Sequence, residues 1–399
     1  MERLSPFSGI DNVHYEGHVA FAPSAPEGGR ITALREATNL DLTDDGRLQT
    51  RKGIAETAAL DAGEGAWEIN GRYLVQDDGD LKEGVTTLVS GLLRRASLVS
   101  HNGLIYGTDG TQYFEIDGAT VRNWGLPVPV LTVTATPAGG GPIAAGTYLV
   151  QASFSDSRGN EGGACDSYTA TLASVGNIVV ALGTGSTTTG ATHVNLYVSP
   201  VNHEHTSFVA KVALASFPYT LTTTSVTVGD PPSSRGLTAP PAGLVGLVSH
   251  RAFLMGWRDN IVWRSEAQEP HLWDGEAILP FEGTVRACES VAGGLWVATS
   301  KGLVWVAGED PQNWIPVQKT TAAATAGSMR IEGHKLGTLQ TADLVALFCT
   351  TEGLVAGLPG GSVAHLTDGR YHFDPGARAS FAYCEHDDLR QIFIGLIGT

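Results

Sequence analysis

The stretch LVSHNGLIYGTDGTQYFEID, residues 98–117, consists of an apolar strand, a turn at TDG and a second apolar strand. Three later stretches repeat this order around the turns RDN, SKG and TEG, at residues 247–266, 290–309 and 344–363. Asp-Gly and Lys-Gly pairs supply the positive φ angles that a tight turn between twisted strands requires. The sequence therefore predicts a repeated β-hairpin. The residues expected on inner strands are Trp296, Val297, Val304 and Trp305.

The spacing of these units is typical of a β-propeller. From Leu247 to Ser290 is 43 residues, and from Gly302 to Gly353 is 51. Both values are close to the period of a four-stranded blade. The first unit stands apart, because 149 residues separate Leu98 from Leu247. We expect about five or six blades' worth of strands in the whole chain.

The excess between the first two units has its own composition. Residues 129–241 are rich in Thr, Ala, Gly and Ser, and they read as about six or seven short strands, the pattern of an immunoglobulin-like or fibronectin type III sandwich. Proline-rich joints, GLPVPV and DPPSSRGLTAPPAG, flank this region and suit a semi-rigid arm that points away from its host. We therefore predict an all-β chain with a β-propeller at 1–128 and 242–399, interrupted by an inserted sandwich at 129–241.

Length and composition agree with this organisation. A chain of 399 residues suits about two domains, or one large all-β domain with an insertion. The 50 glycines and the charged fraction of 17% favour short strands joined by tight turns over helices. Residues 1–23 lack a basic segment followed by a long apolar run, and no uncharged apolar stretch reaches the roughly twenty residues that span a bilayer. We expect neither a secretion signal nor a membrane segment.

Charge and cysteine content exclude two classes of protein. The formal net charge of -16, with a pI near 5.1, repels phosphate and argues against sequence-specific DNA binding. The cysteines form no C-x-x-C pair, so neither a disulfide scaffold nor a zinc ribbon is indicated. Buried free thiols are expected instead. The four positions are Cys165, Cys288, Cys349 and Cys384.

An acidic cluster near the start of the chain is a candidate calcium-binding loop. In DLTDDGRLQTRK, residues 41–52, glycine stands at the sixth position of a calcium loop, but Thr43 stands at the third and Lys52 at the twelfth, where a bidentate glutamate is required. The flanks alternate like strands, so we interpret the cluster as a hairpin. Asp44, Asp45 and Gly46 are expected in its turn, and Asn39 and Arg51 on its strands.

A second candidate metal site is VNHEHTSF. His203 and His205 would share one face of a strand with Glu204 on the other, and no third ligand is evident nearby. A solvated loop between strands is the preferred interpretation over a zinc site.

Catalytic motifs are not found. The stretch SDSRGN at Ser155 lacks the spacing and the tryptophan of a sialidase box, and no G-x-S-x-G elbow or G-x-x-x-x-G-K-[ST] loop occurs. Tryptophans could stack on sugar rings, but their recurrence within the repeats favours a core role. We expect no enzymatic activity, no cofactor, and no catalytic, cofactor-binding or metal site. The tryptophans concerned include Trp257, Trp263, Trp273, Trp296 and Trp305.

The opening residues resemble a family of phage proteins. FSGIDNV followed by LREATNLDLTDDGRLQTRKGI is similar to an opening found in packaged-DNA stabilisation and tail nozzle proteins of short-tailed phages, and in tail-tip or baseplate proteins of other tailed phages. GTYLVQASFSDSRGNEGG and HVNLYVSP resemble the sandwich insertion of these proteins, and NIVWRSEAQEPHLWD resembles a strand of their propellers. The chain ends on an apolar strand, which is expected to close the propeller against the N-terminal segment.

The resemblance implies a structural virion protein made in the host cytoplasm. It implies a homo-oligomer, expected as a ring of six by analogy, that forms part of the tail as a nozzle, hub or head-to-tail conduit. Such a ring would retain and guide genomic DNA and dock other tail or connector proteins. An acidic surface would let DNA pass with little adhesion. A tail-tip or baseplate component and, less favoured, a carbohydrate-binding or carbohydrate-cleaving propeller remain open as alternatives.

Overall fold

The computed structural model is all-β wherever it describes the chain. It contains no α-helix among those residues, and four short 3-10 segments lie between strands, at Leu214–Ser216, Pro311–Asn313, Gly333–Leu336 and Pro359–Gly361. The described residues are the strands 7–10, 32–34, 40–42 and 48–50, and then 63–397 except 138–140, 222–228, 309–310, 337–338, 340, 368–370 and 387–388.

Among the residues before 63 that the structure describes, there are four short strands. Strands β1 (Phe7–Ile10) and β2 (Thr32–Leu34) pair in parallel. Strands β3 (Leu40–Leu42) and β4 (Leu48–Thr50) pair antiparallel, with Leu42 opposite Leu48. This pairing confirms the hairpin predicted for the acidic cluster. The turn between its strands, residues 43–47, lies outside the described residues.

Two meander sheets follow, each built from four strands that pair in chain order. Their facing sides share one apolar core, which includes Leu74, Leu81, Ile105 and Phe114. Sheet A consists of β5 (Gly63–Ile69), β6 (Arg72–Asp77), β7 (Asp80–Glu83) and β8 (Thr86–Val89). Sheet B consists of β9 (Ser97–His101), β10 (Leu104–Thr108), β11 (Tyr113–Asp117) and β12 (Thr120–Asn123).

The next seven strands form two sheets that we call the inserted sheets. One has the order β13-β16-β19 and the other the order β15-β14-β17-β18. Alternate residues of both sheets, among them Val150, Phe154, Ile178 and Leu196, are buried in one core. The strands are β13 (Leu131–Pro137), β14 (Gly146–Ser155), β15 (Tyr168–Leu172), β16 (Gly176–Leu182), β17 (His193–Val198), β18 (Ser207–Ala213) and β19 (Tyr219–Thr220).

Three further meander sheets and a hairpin complete the chain. Sheet C has five strands, because β20 (Leu237–Thr238) adds to the edge of β24. Its other strands are β21 (Gly246–His250), β22 (Phe253–Arg258), β23 (Ile261–Glu266) and β24 (Glu269–Pro280). Sheet D consists of β25 (Val285–Val291), β26 (Gly294–Thr299), β27 (Gly302–Ala307) and β28 (Ile315–Gln318). Sheet E consists of β29 (Met329–Glu332), β30 (Leu344–Thr350), β31 (Gly353–Gly357) and β32 (Val363–His365). The strands β33 (Arg378–His386) and β34 (Leu389–Ile397) form a separate hairpin.

The predicted repeat corresponds to the second hairpin of a sheet. The turns TDG, SKG and TEG join the second and third strands of sheets B, D and E, and RDN joins the corresponding strands β22 and β23 of sheet C. Gly302 and Gly353 have φ of +127° and +114°, as the hairpin argument requires. A Cβ atom at Gly302 would lie 1.9 Å from the carbonyl oxygen of Thr320, so only glycine fits.

The inner strands of sheet D carry the predicted core. Trp296 and Trp305 lie opposite each other on β26 and β27, with ring centroids 5.1 Å apart. Both are buried, as are Val297 and Val304. Trp296 Nε1 donates a hydrogen bond of 3.0 Å to the carbonyl of Leu358, which follows sheet E's third strand. The prediction of inner-strand positions is confirmed for all four residues.

Polar contacts join the first strands of neighbouring sheets. Asn70, in the first turn of sheet A, accepts a bond of 2.6 Å from Ser100 Oγ of sheet B. His101 of sheet B lies 2.8 Å, Nδ1 to Oγ, from Ser249 of sheet C. Sheets D and E are joined in a similar way, since Ser328 Oγ, just before β29, donates to the carboxylate of Glu289 on β25 at 2.8 Å.

The chain divides into two compact units. One contains residues 1–60, 259–261 and 280–399, and the other contains residues 61–258 and 262–279. The inserted sheets thus belong to the same unit as sheets A and B, and the predicted domain boundaries at 128 and 241 remain predictions. The expected pairing of β34 with an N-terminal strand is not seen, since among the strands the structure describes β34 pairs with β33.

Candidate functional site at the base of the inserted sheets

The groups considered as metal sites do not come together. His203, Glu204 and His205 are exposed in the loop between β17 and β18, as predicted. Of the acidic cluster, Asp41 lies on β3, whereas Asn39, Thr43, Asp44, Asp45, Gly46, Arg51 and Lys52 lie outside the described residues. Within the described part of the chain, no group of three or more His, Cys, Asp or Glu side chains is placed to hold a metal ion.

The tryptophans and most of the cysteines belong to the core. Trp257, Trp263, Trp273, Trp296 and Trp305 are all buried, which agrees with the predicted core role. Cys165, Cys288 and Cys349 are buried free thiols, whereas Cys384 is exposed on β33, contrary to expectation. Burial raises the pKa of the Cys349 thiol to about 12, so this thiol stays protonated and unreactive at neutral pH.

The strongest polar constellation lies at the base of the inserted sheets, in a segment we call the joint loop, residues 156–165. Asp156 holds the start of this loop, because its carboxylate accepts the backbone N–H groups of Arg158 at 2.8 Å and of Asn160 at 2.9 Å. Aspartate often closes such turns on its own backbone. The SDSRGN stretch, which resembles no catalytic box, is therefore a turn with a defined shape.

Arg158 projects from the joint loop to sheet B. Its Nη2 lies 2.7 Å from Oε1 of Glu115 on β11, and the Glu115 side chain is only 4% exposed. Arg122 on β12 lies 3.7 Å from the same oxygen. A buried carboxylate next to two guanidinium groups is compensated, whereas the loss of Arg158 would leave it only the longer contact with Arg122, at a cost in stability. The ion pair therefore ties the inserted sheets to sheet B.

Glu161 anchors the other side of the joint loop. Its Oε1 accepts hydrogen bonds from Ser153 Oγ and from Tyr197 Oη, each at 2.5 Å. Burial and then the bond to Glu161 raise the pKa of Tyr197, which remains a proton donor. These polar side chains lie on the face of the four-stranded inserted sheet that points away from its apolar core. The joint loop covers that face.

Aromatic side chains near the joint loop connect sheets B and C. Trp124, just after β12, donates from Nε1 to the carbonyl of Pro270 at 2.7 Å, and Trp273 donates to the same oxygen at 2.9 Å. Tyr106 packs against Trp124 with ring centroids 5.3 Å apart. Burial, followed by the charge of Glu115, raises the pKa of Tyr106 to about 12. The pKa of His271 is lowered, chiefly by burial.

The chemistry of this cluster is that of attachment. Glu115 is paired with the guanidinium groups of Arg158 and Arg122, Glu161 accepts hydrogen bonds from Ser153 and Tyr197, and the neighbouring tyrosines stay protonated. A general base or nucleophile has to reach a substrate, whereas these carboxylates are engaged by side chains of the chain itself. We assign the cluster a positioning role.

Sequence reasoning did not single out Glu115, Arg158, Glu161 or Trp124. The quoted stretch GTYLVQASFSDSRGNEGG does contain Arg158 and Glu161, so an Asp and an Arg in a turn after a long strand could have signalled a loop with a fixed shape. The partner Glu115 gives no such signal, because it lies in a different sheet. The first turns of sheets A and B did carry a readable signal in Asn70-Gly71 and Asn102-Gly103, whose asparagines have φ near +50°.

Comparison with known proteins identifies no family. No family model matches the chain, and no curated protein matches it. Among solved structures, BBS1N in complex with ARL6DN is 9% identical, with 85% of this chain and 89% of that chain covered and a TM-score of 0.32. The extracellular domain of the one component system BT4673 from B. thetaiotaomicron is 10% identical, with 91% and 49% covered and a TM-score of 0.24. Alignments at this level identify neither a fold nor a function. No helix in the described segments is long and apolar enough to cross a membrane.

Proposed function

We propose that this chain is a structural virion protein of a tailed phage, located in the tail and made in the host cytoplasm, with no enzymatic activity. The observation that carries the proposal is the attachment of the inserted sheets to sheet B through an ion pair with a buried carboxylate, Arg158 to Glu115 at 2.7 Å. Such an attachment suits a protein that presents a module to neighbours. The resemblance of its opening and insertion motifs to tail proteins supplies the virion context.

The proposed architecture is a β-propeller interrupted by an immunoglobulin-like or fibronectin III-like sandwich. Sheets A to E support the propeller, because each contains four adjacent antiparallel strands in chain order, the arrangement of a blade. The seven inserted strands support the sandwich, since they form two sheets around one core. The proposed boundaries are 1–128 and 242–399 for the propeller and 129–241 for the sandwich.

The proposed assembly is a homo-oligomer, by analogy a ring of six, that forms a nozzle, hub or head-to-tail conduit. It would dock other tail or connector proteins through the inserted sheets and would retain and guide genomic DNA without sequence preference. The net charge of -16 supports passage over adhesion, because an acidic surface releases no counterions from DNA.

The sequence leaves two other roles open. A tail-tip or baseplate component shares the same fold argument and differs only in its place in the virion. A carbohydrate-binding propeller would need exposed aromatic side chains on which sugar rings can stack. The five recurring tryptophans are buried in sheets C and D, so they do not support that role.

Cryo-electron microscopy of particles that contain the chain tests the proposal, and native mass spectrometry of the purified protein tests the oligomer.

The end of the inserted sheets away from the joint loop exposes the side chains of Val175 and Val201, which are 45% and 39% exposed. Aspartate at both positions should reduce incorporation into particles, because a charge would have to be buried in the interface. Val85→Asp, at a fully exposed position of sheet A, is the matched control.

Absence from purified particles, together with a monomer at all concentrations, would overturn the virion role. If the chain is incorporated into particles and aspartate at Val175 and Val201 does not reduce incorporation, the virion role stands and docking through the far end of the inserted sheets is excluded. Activity on glycans that is lost on neutralising one carboxylate would favour the enzyme alternative.

A further inference from the structure

The inserted sheets leave and rejoin the chain beside one loop. The strand before them, β12, ends at Asn123, and the segment after them leads into β20 at Leu237. We propose that the joint loop, residues 156–165, is a rigid joint that fixes the orientation of the inserted sheets relative to sheet B before any partner binds, with the Arg158–Glu115 ion pair as its lock. The proposal concerns attachment alone and goes beyond the virion role.

The joint loop is held along its length by backbone hydrogen bonds to the inserted sheet. Gly162 N donates to Phe154 O at 2.8 Å, and Cys165 N donates to Ala152 O at 2.8 Å. The loop therefore runs beside β14, and Gln151 Nε2 adds a bond of 2.9 Å to the carbonyl of Cys165. A loop with its backbone groups paired moves together with the sheet beneath it.

Both connecting segments pack on two adjacent glycines of this loop. A Cβ atom at Gly162 would lie 2.7 Å from Cβ of Leu126 in the entering segment, and one at Gly163 would lie 1.8 Å from the carbonyl oxygen of Leu237 in the leaving segment. The leaving segment is also paired with the loop, since Ala164 N donates to Ser234 O at 3.1 Å. Two connections that merely linked domains would have no need of such close contact.

The ion pair adds a direct tie from the joint loop to sheet B. Arg158 reaches Glu115 from the turn that Asp156 shapes, and its guanidinium is also 3.4 Å from Asp156 Oδ2. Arg158 thus connects the joint loop to sheet B, with Asp156 as its acidic partner in the loop and Glu115 as its acidic partner in the sheet. Arg158 is a positioning residue, and its loss should free the inserted sheets to rotate about the connecting segments.

Spin-label distance measurements on the full chain test the lock. Labels at Leu93→Cys, beside sheet B, and Val201→Cys, at the far end of the inserted sheets, replace exposed side chains, and Cys384→Ser removes the exposed native thiol. The parent should give one narrow distance distribution. Arg158→Ala should broaden it about twofold, because unlocked domains move relative to each other by default.

Two further variants separate a lock from a general loss of structure. Arg158→Lys keeps the charge and should restore most of the narrow distribution, and Arg72→Ala removes an ion pair of 2.7 Å within sheet A and should leave it unchanged. If Arg158→Ala fails to fold, Glu115→Gln tests the same tie. A broad distribution in the parent, or an unchanged one in both Arg158→Ala and Glu115→Gln, would overturn the proposal.

Discussion

Two histidines occupy the same position in neighbouring sheets. His101 ends β9 and His250 ends β21, each as the last residue of the tetrapeptide Leu-Val-Ser-His, and each is only 2% exposed. Burial lowers the pKa of His101, and burial together with Arg251 lowers the pKa of His250 to about 4. Both imidazoles are neutral in the folded chain at pH 7. His101 joins sheet B to sheet C through Ser249.

This lowered pKa predicts a loss of stability in acid. An unfolded histidine titrates near pH 6.5, so the folded chain binds fewer protons than the unfolded chain between about pH 6.5 and 4. Stability is complete above that window and falls as the pH drops through it, by about 3 kcal/mol for His250 if its pKa is near 4. Denaturant unfolding at pH 7 and pH 4.5 measures the change, and His250→Gln should reduce it.

The control for His250 is His203→Gln, at an exposed position in the loop after β17. It should leave the difference between the two pH values as in the parent. The comparison uses the pH dependence and not the stability at one pH, so a general cost of replacing a buried ring does not affect it. An equal acid loss in the parent and in His250→Gln would show that other groups carry it.

Hairpins are the elements that could be predicted, because their signals are local. The turns SKG and TEG specify a bend between adjacent apolar runs, and the structure has β26–β27 and β30–β31 there. About six or seven short strands were also predicted for residues 129–241 from their turn residues, and the inserted sheets contain seven. Contacts between sheets were not, since the pairing of Arg158 with Glu115 depends on the path of the whole chain. The candidate site consists of such contacts, so sequence alone could not assemble it.

In sheets D and E, the turn between the second and third strands is closed by the hydroxyl group of a threonine. Thr299 Oγ1 donates to Gly302 O at 2.9 Å and accepts the N–H of Lys301 at 3.1 Å. Thr350 Oγ1 makes the same two bonds, to Gly353 O at 3.0 Å and from Glu352 N at 3.2 Å. Both hydroxyl groups close their turns from a buried position.

Replacing either threonine by valine should lower the free energy of unfolding by about 1–2 kcal/mol, because the buried turn loses a hydrogen-bond partner with little change of shape. The double variant measures the coupling between the turns, because both contact Ala324: its N–H donates to Thr299 O at 3.1 Å, and it forms a β-bridge with Thr350. Denaturant unfolding measures all three variants. Thr87→Val, at an exposed position of β8, is the control. Losses no larger than that of the control would show that the turns do not depend on the hydroxyls.

The chain as a whole carries more acidic than basic residues. It contains 41 acidic against 25 basic residues. Arginines such as Arg72, Arg122 and Arg158 are paired with carboxylates within the fold. Paired guanidinium groups are less available to phosphates than free ones. A role in guiding DNA therefore has to rest on enclosure by an assembly and not on attraction by the single chain.

The acidic excess predicts that the assembled protein does not retain duplex DNA. Non-specific binding depends on counterion release by basic side chains and is strongest at low salt. Fluorescence anisotropy with a labelled duplex at low ionic strength should thus show no binding up to protein concentrations of about 100 µM, the weak end of the range for ordinary non-specific binders. Native mass spectrometry of the same sample establishes whether a ring or a monomer was measured. Micromolar binding that weakens steeply with salt would place a basic surface on the assembly, and passage with little adhesion would then have to be abandoned as the explanation of the charge.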